Sequence, residues 1–200
     1  MNTILFDLGA VLIDWNPRYL YRPLFGGDEA AMEHFLGEIV PPVWNHEIDA
    51  GKSFADAVAE RVRVFPDQAD MIMLWKDGWA KMLQGAIPES VEILAELRSR
   101  GYRLYALTNW SAETFPIARQ RFEFLKWFED VVVSGEVGLA KPDPGIFELT
   151  IERCRLEPAQ TLFIDDSLRN VEAARKAGLH ALHFLSPDGL RTDLTKLGLL

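Results

Sequence analysis

Two hundred residues suffice to bury a full core, and 48% hydrophobic with 26% charged residues is ordinary globular composition. A formal net charge of -9 excludes a surface that attracts nucleic acid or anionic membrane by its average field, so any anionic ligand must be held by a local feature. The single cysteine, Cys154, excludes an intramolecular disulfide, no run of about 18 apolar residues is present to span a membrane, and a reducing cytoplasm is the expected compartment.

The first apolar run, Ile4-Leu5-Phe6, predicts a buried parallel strand that ends on Asp7 and is followed by Leu8-Gly9-Ala10-Val11-Leu12-Ile13-Asp14. Open α/β sheets place ligands at the C-terminal edge of such strands, although a lone Asp7 reads equally well as a loop cap. That carboxylate, and the absence of a basic N-terminal region, do not fit a secretory signal. From 17 to 84 no clear strand is visible. Helical spacing predicts segments around Tyr19–Leu24, Glu29–Ile39, Phe54–Phe65 and Gln68–Leu83, broken by Gly26-Gly27, Pro41-Pro42, Gly51 and Pro66. The simplest organisation is a core domain of 1–16 and 85–200 carrying a helical cap domain of 17–84 over its strand ends.

From Pro88 onward, helix and strand signals alternate. A helix from Pro88 closed by Gly101 precedes a strand from Tyr102 to Leu107 that ends at Thr108-Asn109. A helix over Ala112–Phe122, a strand over Asp130–Val133 and a helix over Pro144–Cys154 follow, the last opened by Lys141-Pro142-Asp143-Pro144. Cys154 falls in its apolar pattern and reads as a small core residue. Thr161–Ile164 is a strand ending on Asp165-Asp166, then come a helix over Asn170–Lys176 and a last strand over His180–Leu185. This alternation specifies the α/β class, a Rossmann-like doubly wound parallel sheet with helices on both faces.

In a parallel sheet the polar strand ends converge on one edge. The set Phe6-Asp7-Leu8-Gly9, Leu107-Thr108-Asn109, Lys141-Pro142 and Ile164-Asp165-Asp166-Ser167 resembles, in order, the four motifs of the haloacid dehalogenase-like hydrolase superfamily. The likeness covers essentially the whole chain and is nearest to the branch of sugar-phosphate phosphatases. The resemblance implies Asp7 as nucleophile on phosphorus, with Lys141 neutralising it and the transferring phosphoryl group, and Thr108 and Asn109 donating to phosphate oxygens. It implies Mg²⁺ held by Asp7, the Gly9 carbonyl and Asp166, with Asp165 acting through water. Asn170 either orients the metal shell or caps its helix.

One position departs from the pattern. Most phosphatases of this superfamily carry a second aspartate two residues after the nucleophile as general acid and base, where this chain has Gly9. Two enzyme readings follow. One is a phosphatase of small phosphorylated metabolites whose leaving group needs little help, such as a sugar 1-phosphate. The other is a 2-haloacid dehalogenase, which needs no metal; the acidic pair Asp165-Asp166 favours the phosphatase. A catalytically silent phosphate-binding protein is the third class. Trp15, Trp44 and Trp110 are candidates for lining the substrate cleft, as is His46, while Asp14 and His46 are the first candidates for a substitute proton donor. The four histidines show no metal-ligand spacing. The expected partner is a small phosphorylated molecule, with neither nucleic acid nor membrane, for a monomer or homodimer.

Overall fold

The computed structural model describes residues 1–200. Seven short segments pair as strands: β1 Thr3–Phe6, β2 Ile13–Trp15, β3 Leu83–Ala86, β4 Arg103–Thr108, β5 Asp130–Val133, β6 Thr161–Asp165 and β7 His180–His183. Five of them form one sheet in the order β5-β4-β1-β6-β7, every neighbouring pair parallel. The first strand therefore lies at the centre, flanked by β4 and β6, so the residues that follow these three strands emerge side by side.

The segment between β2 and β3 is helical: α1 Arg18–Tyr21, α2 Glu29–His34, α3 Pro42–Asp49, α4 Phe54–Val64 and α5 Ala69–Asp77. A π turn, Phe35–Ile39, continues α2, and a 3₁₀ turn, Trp79–Met82, leads into β3. Two expectations need correction here. Pro41-Pro42 follows the end of the helical run at Ile39, as expected, but it also starts α3, a helix the spacing does not announce, because Pro42 sits in the first turn, where a missing N–H costs no helical bond. The helix expected over 68–83 stops at Asp77, and the chain turns into β3, which pairs antiparallel with β2. A Cβ at Gly78 would lie 2.8 Å from Leu20 Cδ1 and 2.9 Å from the Leu74 carbonyl, so close approach of α1 requires glycine where α5 ends.

Aromatic packing fills the insert. Trp75 stacks on Tyr21 with centroids 5.9 Å apart and takes the edge of Trp44 at 5.5 Å. The remaining helices are α6 Pro88–Ser99, α7 Phe115–Arg121, α8 Ser134–Val137, α9 Pro144–Arg153, α10 Leu168–Lys176 and α11 Pro187–Lys196. Neither α8 nor α11 is evident in the apolar periodicity; α8 is one turn long, and α11 is anchored mainly by Leu190 and Leu194.

Side-chain alternation sorts the sheet into two faces. Ile4, Phe6, Leu104, Ala106, Val131 and Ile164 face the layer of α6, α7 and α11, and their apolar cluster runs on through Leu12 and Met82 into the insert. Leu5, Tyr105, Leu107, Val132 and Phe163 face α9 and α10, joined by Ile146, Phe147, Val171 and Ala174. Cys154 belongs to this second cluster, and burial pushes its thiol up to about 11, the state of an inert core residue. Phe147 is fully buried edge-on to Phe163 at 5.7 Å. Phe147→Ala is expected to cost about 3–5 kcal/mol, read from urea unfolding; a loss under 1 kcal/mol contradicts a tightly packed α9 layer.

Candidate active site

Thr108 and Asp165 are the last residues of β4 and β6, and Asp7 and Asp166 directly follow β1 and β6, which puts all four at one sheet edge. Lys141 reaches them from the loop before α9. Its ammonium is only 1% exposed and donates to Asp7 Oδ1 at 2.9 Å, Asp165 Oδ2 at 2.6 Å and the Leu107 carbonyl at 2.9 Å. Three acceptors use all three of its protons. The Lys141 backbone is fixed in turn by the Asn109 amide, whose Oδ1 accepts from Lys141 N at 2.8 Å while Nδ2 donates to Lys141 O at 2.9 Å.

Asp165 is saturated on the protein side: Asn170 Nδ2 donates to both its oxygens at 2.9 and 3.2 Å, and the Ser167 N–H to Oδ1 at 2.8 Å. Asn170 is thus an orienting residue for Asp165 rather than a helix cap. Asp7 Oδ1 accepts from both Lys141 and the Leu8 N–H at 2.7 Å, whereas Oδ2 takes no hydrogen bond from the protein. Thr108 is buried at the end of β4.

Three carboxylates lie close together here, and only two of them pair with the one ammonium. Burial, reinforced by Asp165 and Asp166 against the pull of Lys141, pushes Asp7 up to about 7. Asp166 is raised by burial and by Asp165. For Lys141, burial alone acts downward, but Asp165 and Asp7 outweigh it and the ammonium is stabilised. Ligand oxygens of Asp7, Asp165 and Asp166 lie within 4.8 Å of one another. Oxygen-only donors with surplus negative charge fit a hard divalent cation.

Beside this cluster is a cavity of about 90 Å³ lined by Gly9, Trp15, Asn45, Asp49, Trp79, Asn109 and Trp110. Trp15 and Trp110 line it, and the indole N–H of each is buried without a partner. Trp44 does not: its N–H donates to the Ala57 carbonyl at 3.2 Å inside the insert, so it is a core residue. His46 is exposed on α3, and Asp14 accepts the Tyr19 hydroxyl at 2.8 Å; neither lines the cavity.

A family model for haloacid dehalogenase-like hydrolases matches residues 1–178. The chain belongs to this family. Among its relatives, a sesquiterpene phosphatase of Aspergillus oryzae is 25% identical over 90% of this chain and 87% of its own length. A predicted hydrolase of the same family from Porphyromonas gingivalis superposes with a TM-score of 0.74 at 26% identity, covering 98% of this chain and 97% of its own. A family enzyme from Bacteroides thetaiotaomicron, solved with magnesium and inorganic phosphate, superposes at 0.66 with 23% identity over 92% and 93% of the two chains.

In this hydrolase the four motifs meet as the sequence predicts, but three cavity residues escaped the reading. Asn45 and Asp49 lie on α3, which the Pro-Pro pair conceals, although their i,i+4 spacing is a signal for one helix face. Trp79 lies in the turn taken as helix. Replacing Lys141 leaves two buried carboxylates unpaired, so Lys141→Met should cost about 3–5 kcal/mol near neutral pH in denaturant unfolding. Carboxylates whose folded pKa values rise above their unfolded values lose stability as pH rises, so the cost should be smaller at pH 5 than at pH 8. A loss below 1 kcal/mol at pH 8 overturns the clamp.

Proposed function

We propose that this hydrolase is a Mg²⁺-dependent phosphomonoesterase of a small phosphorylated metabolite, with a sugar 1-phosphate as the substrate to test first. The observation that carries the reading is the meeting of three carboxylates at the edge of a parallel sheet, two of them, Asp7 and Asp165, paired with one buried ammonium. In this reading Asp7 Oδ2, the oxygen without a protein partner, forms a bond to phosphorus as the ester oxygen departs. Water then attacks the aspartyl phosphate, releasing inorganic phosphate and restoring the carboxylate. Lys141 holds Asp7 in position and offsets its charge; Thr108 and the Asn109 N–H donate to phosphate oxygens.

Asp7, Asp166 and the Gly9 carbonyl would hold Mg²⁺, which supplies the positive charge an anionic nucleophile needs when it meets an anionic phosphate. Asp165, already bonded to Lys141, Asn170 and Ser167, would add negative charge to the ion's surroundings without binding it directly. The helical insert serves as a cap that reads the substrate, with Trp15, Trp79 and Trp110 as apolar walls and the free indole N–H groups as donors to hydroxyl or phosphate oxygens. The name of the Aspergillus relative agrees with a phosphatase, and the acidic triplet favours this reading over a metal-independent dehalogenase.

The decisive assay is phosphate release from a panel that includes α-glucose 1-phosphate and p-nitrophenyl phosphate, with Mg²⁺ or EDTA, beside halide release from 2-chloropropionate. Mg²⁺-dependent phosphate release is expected, with Asp7→Asn lowering it by about 10³-fold or more while the melting temperature holds. Halide release without phosphate release, or full turnover in EDTA, overturns the proposal.

A further inference from the structure

Gly9 leaves this hydrolase without a carboxyl group next to the nucleophile, and the cavity beside Gly9 contains one from elsewhere. Asp49, the last residue of α3, lines that cavity together with Gly9 and Asn109. Resting on the phosphatase reading above, we propose that Asp49 is the general acid and base of this enzyme, a catalytic carboxyl contributed by the helical insert in place of one in the first motif.

The side chain is held for such a role. Trp75 Nε1, a donor only, bonds Asn45 Oδ1 at 3.0 Å, which turns Asn45 Nδ2 onto Asp49 Oδ2 at 2.9 Å. The Asp49 carbonyl accepts from Ser134 Oγ at 2.5 Å, and the same hydroxyl accepts from the Trp110 N–H at 2.8 Å. One hydroxyl thereby ties the end of α3 to the segment beside Asn109. A side chain at Gly51 would stand 3.4 Å from Gly138 Cα, so the chain just beyond Asp49 also sits close against the core.

Burial pushes the Asp49 carboxyl up to about 7, against a small opposing pull from the Ser111 N–H. No charged neighbour accounts for this. On its own helix His46 is exposed and Glu47 pairs with Lys52; on α8 Glu136 faces Arg119; and Glu113 is bonded to Lys76 and the Phe54 N–H. A carboxyl titrating near neutrality suits both directions of proton transfer. In the first step its proton passes to the bridging ester oxygen as the bond from that oxygen to phosphorus breaks and the bond from Asp7 forms. In the second, the Asp49 carboxylate takes a proton from water as the water oxygen bonds to phosphorus and the aspartyl phosphate opens. Phosphate leaves, and Asp49 is protonated again.

The test compares glycerol 3-phosphate, whose alkoxide leaving group needs a proton, with p-nitrophenyl phosphate, whose leaving group does not. Asp49→Asn keeps the acceptor that Asn45 requires. It should lower the ratio of kcat/KM on the alkyl ester to that on the aryl ester by about 10²-fold or more. The wild-type alkyl-ester profile should fall as pH rises above about 7, and that limb should vanish in the variant. Gly9 is outside the left-handed region and a Cβ there meets nothing within 4 Å, so a side chain can start at this position. Gly9→Asp added to Asp49→Asn should therefore restore alkyl-ester turnover. The melting temperature of Asp49→Asn should not fall at pH 8, because a buried carboxylate has been removed. Equal losses on both esters, an unchanged ratio, or a folded double variant without recovery overturns the assignment. Absence of phosphate release by the wild type from these two esters and from α-glucose 1-phosphate removes the phosphatase reading, and the assignment with it.

Discussion

The buried ammonium of Lys141 is the interaction on which the site depends. Taking an ammonium and two carboxylates out of water costs several kcal/mol per ion, and mutual attraction offsets this only with near-complete hydrogen bonding. The molecule meets that condition at the lysine, which spends its three protons on Asp7, Asp165 and the Leu107 carbonyl, and leaves only Asp7 Oδ2 without a protein partner. Asn109 clamps the lysine backbone from both sides, and Asn170 and Ser167 complete Asp165. These partners come from the ends of three adjacent strands and from one loop, so the parallel order that puts β1 between β4 and β6 is what allows the cluster to exist. Remove the topology and the charges have no common edge.

The seam between insert and core carries a Lys76–Glu113 ion pair and rests on close backbone packing on the core side. A Cβ at Gly135 would stand 2.5 Å from the Ala112 N and 2.8 Å from the Trp110 carbonyl, a distance no side chain tolerates. That close approach is what brings Ser134 within reach of both Trp110 and the end of α3. The insert is therefore joined to the catalytic edge by directional bonds in addition to the apolar cluster that runs through both. Packing of this kind makes the cavity walls a property of two parts of the chain at once.

What the sequence shows clearly and what it hides follow from different physics. Strand ends were legible because a buried parallel strand is an uninterrupted apolar run, and the first polar residue after it stands out: Asp7, Thr108 and Asp165 all declare themselves this way. The walls of the cavity do not. Trp44 and Trp110 look alike in sequence, but Trp44 donates its N–H to the Ala57 carbonyl inside the insert, while Trp110 lines the cavity with its N–H buried and unpaired. Asp49 was missed for a related reason: Pro41-Pro42 reads as punctuation, and only the geometry of a first turn shows that Pro42 begins a helix. The strand β3 was hidden because Leu83-Gln84-Gly85-Ala86 has little strand propensity and exists through pairing with β2.

Charge balance places a further demand on this site. The whole chain carries -9, and the residues lining the cavity include no lysine or arginine. Lys141, the cation at the strand ends, is already committed to two carboxylates, so it offsets charge that the protein itself supplies. Under the proposed function, affinity for an anionic substrate would then have to come from neutral donors and from a divalent cation held among Asp7, Asp165 and Asp166. Under the proposed function, substrate binding and metal binding are consequently linked: each reduces the electrostatic cost of the other, and neither is strong alone in so negative a field.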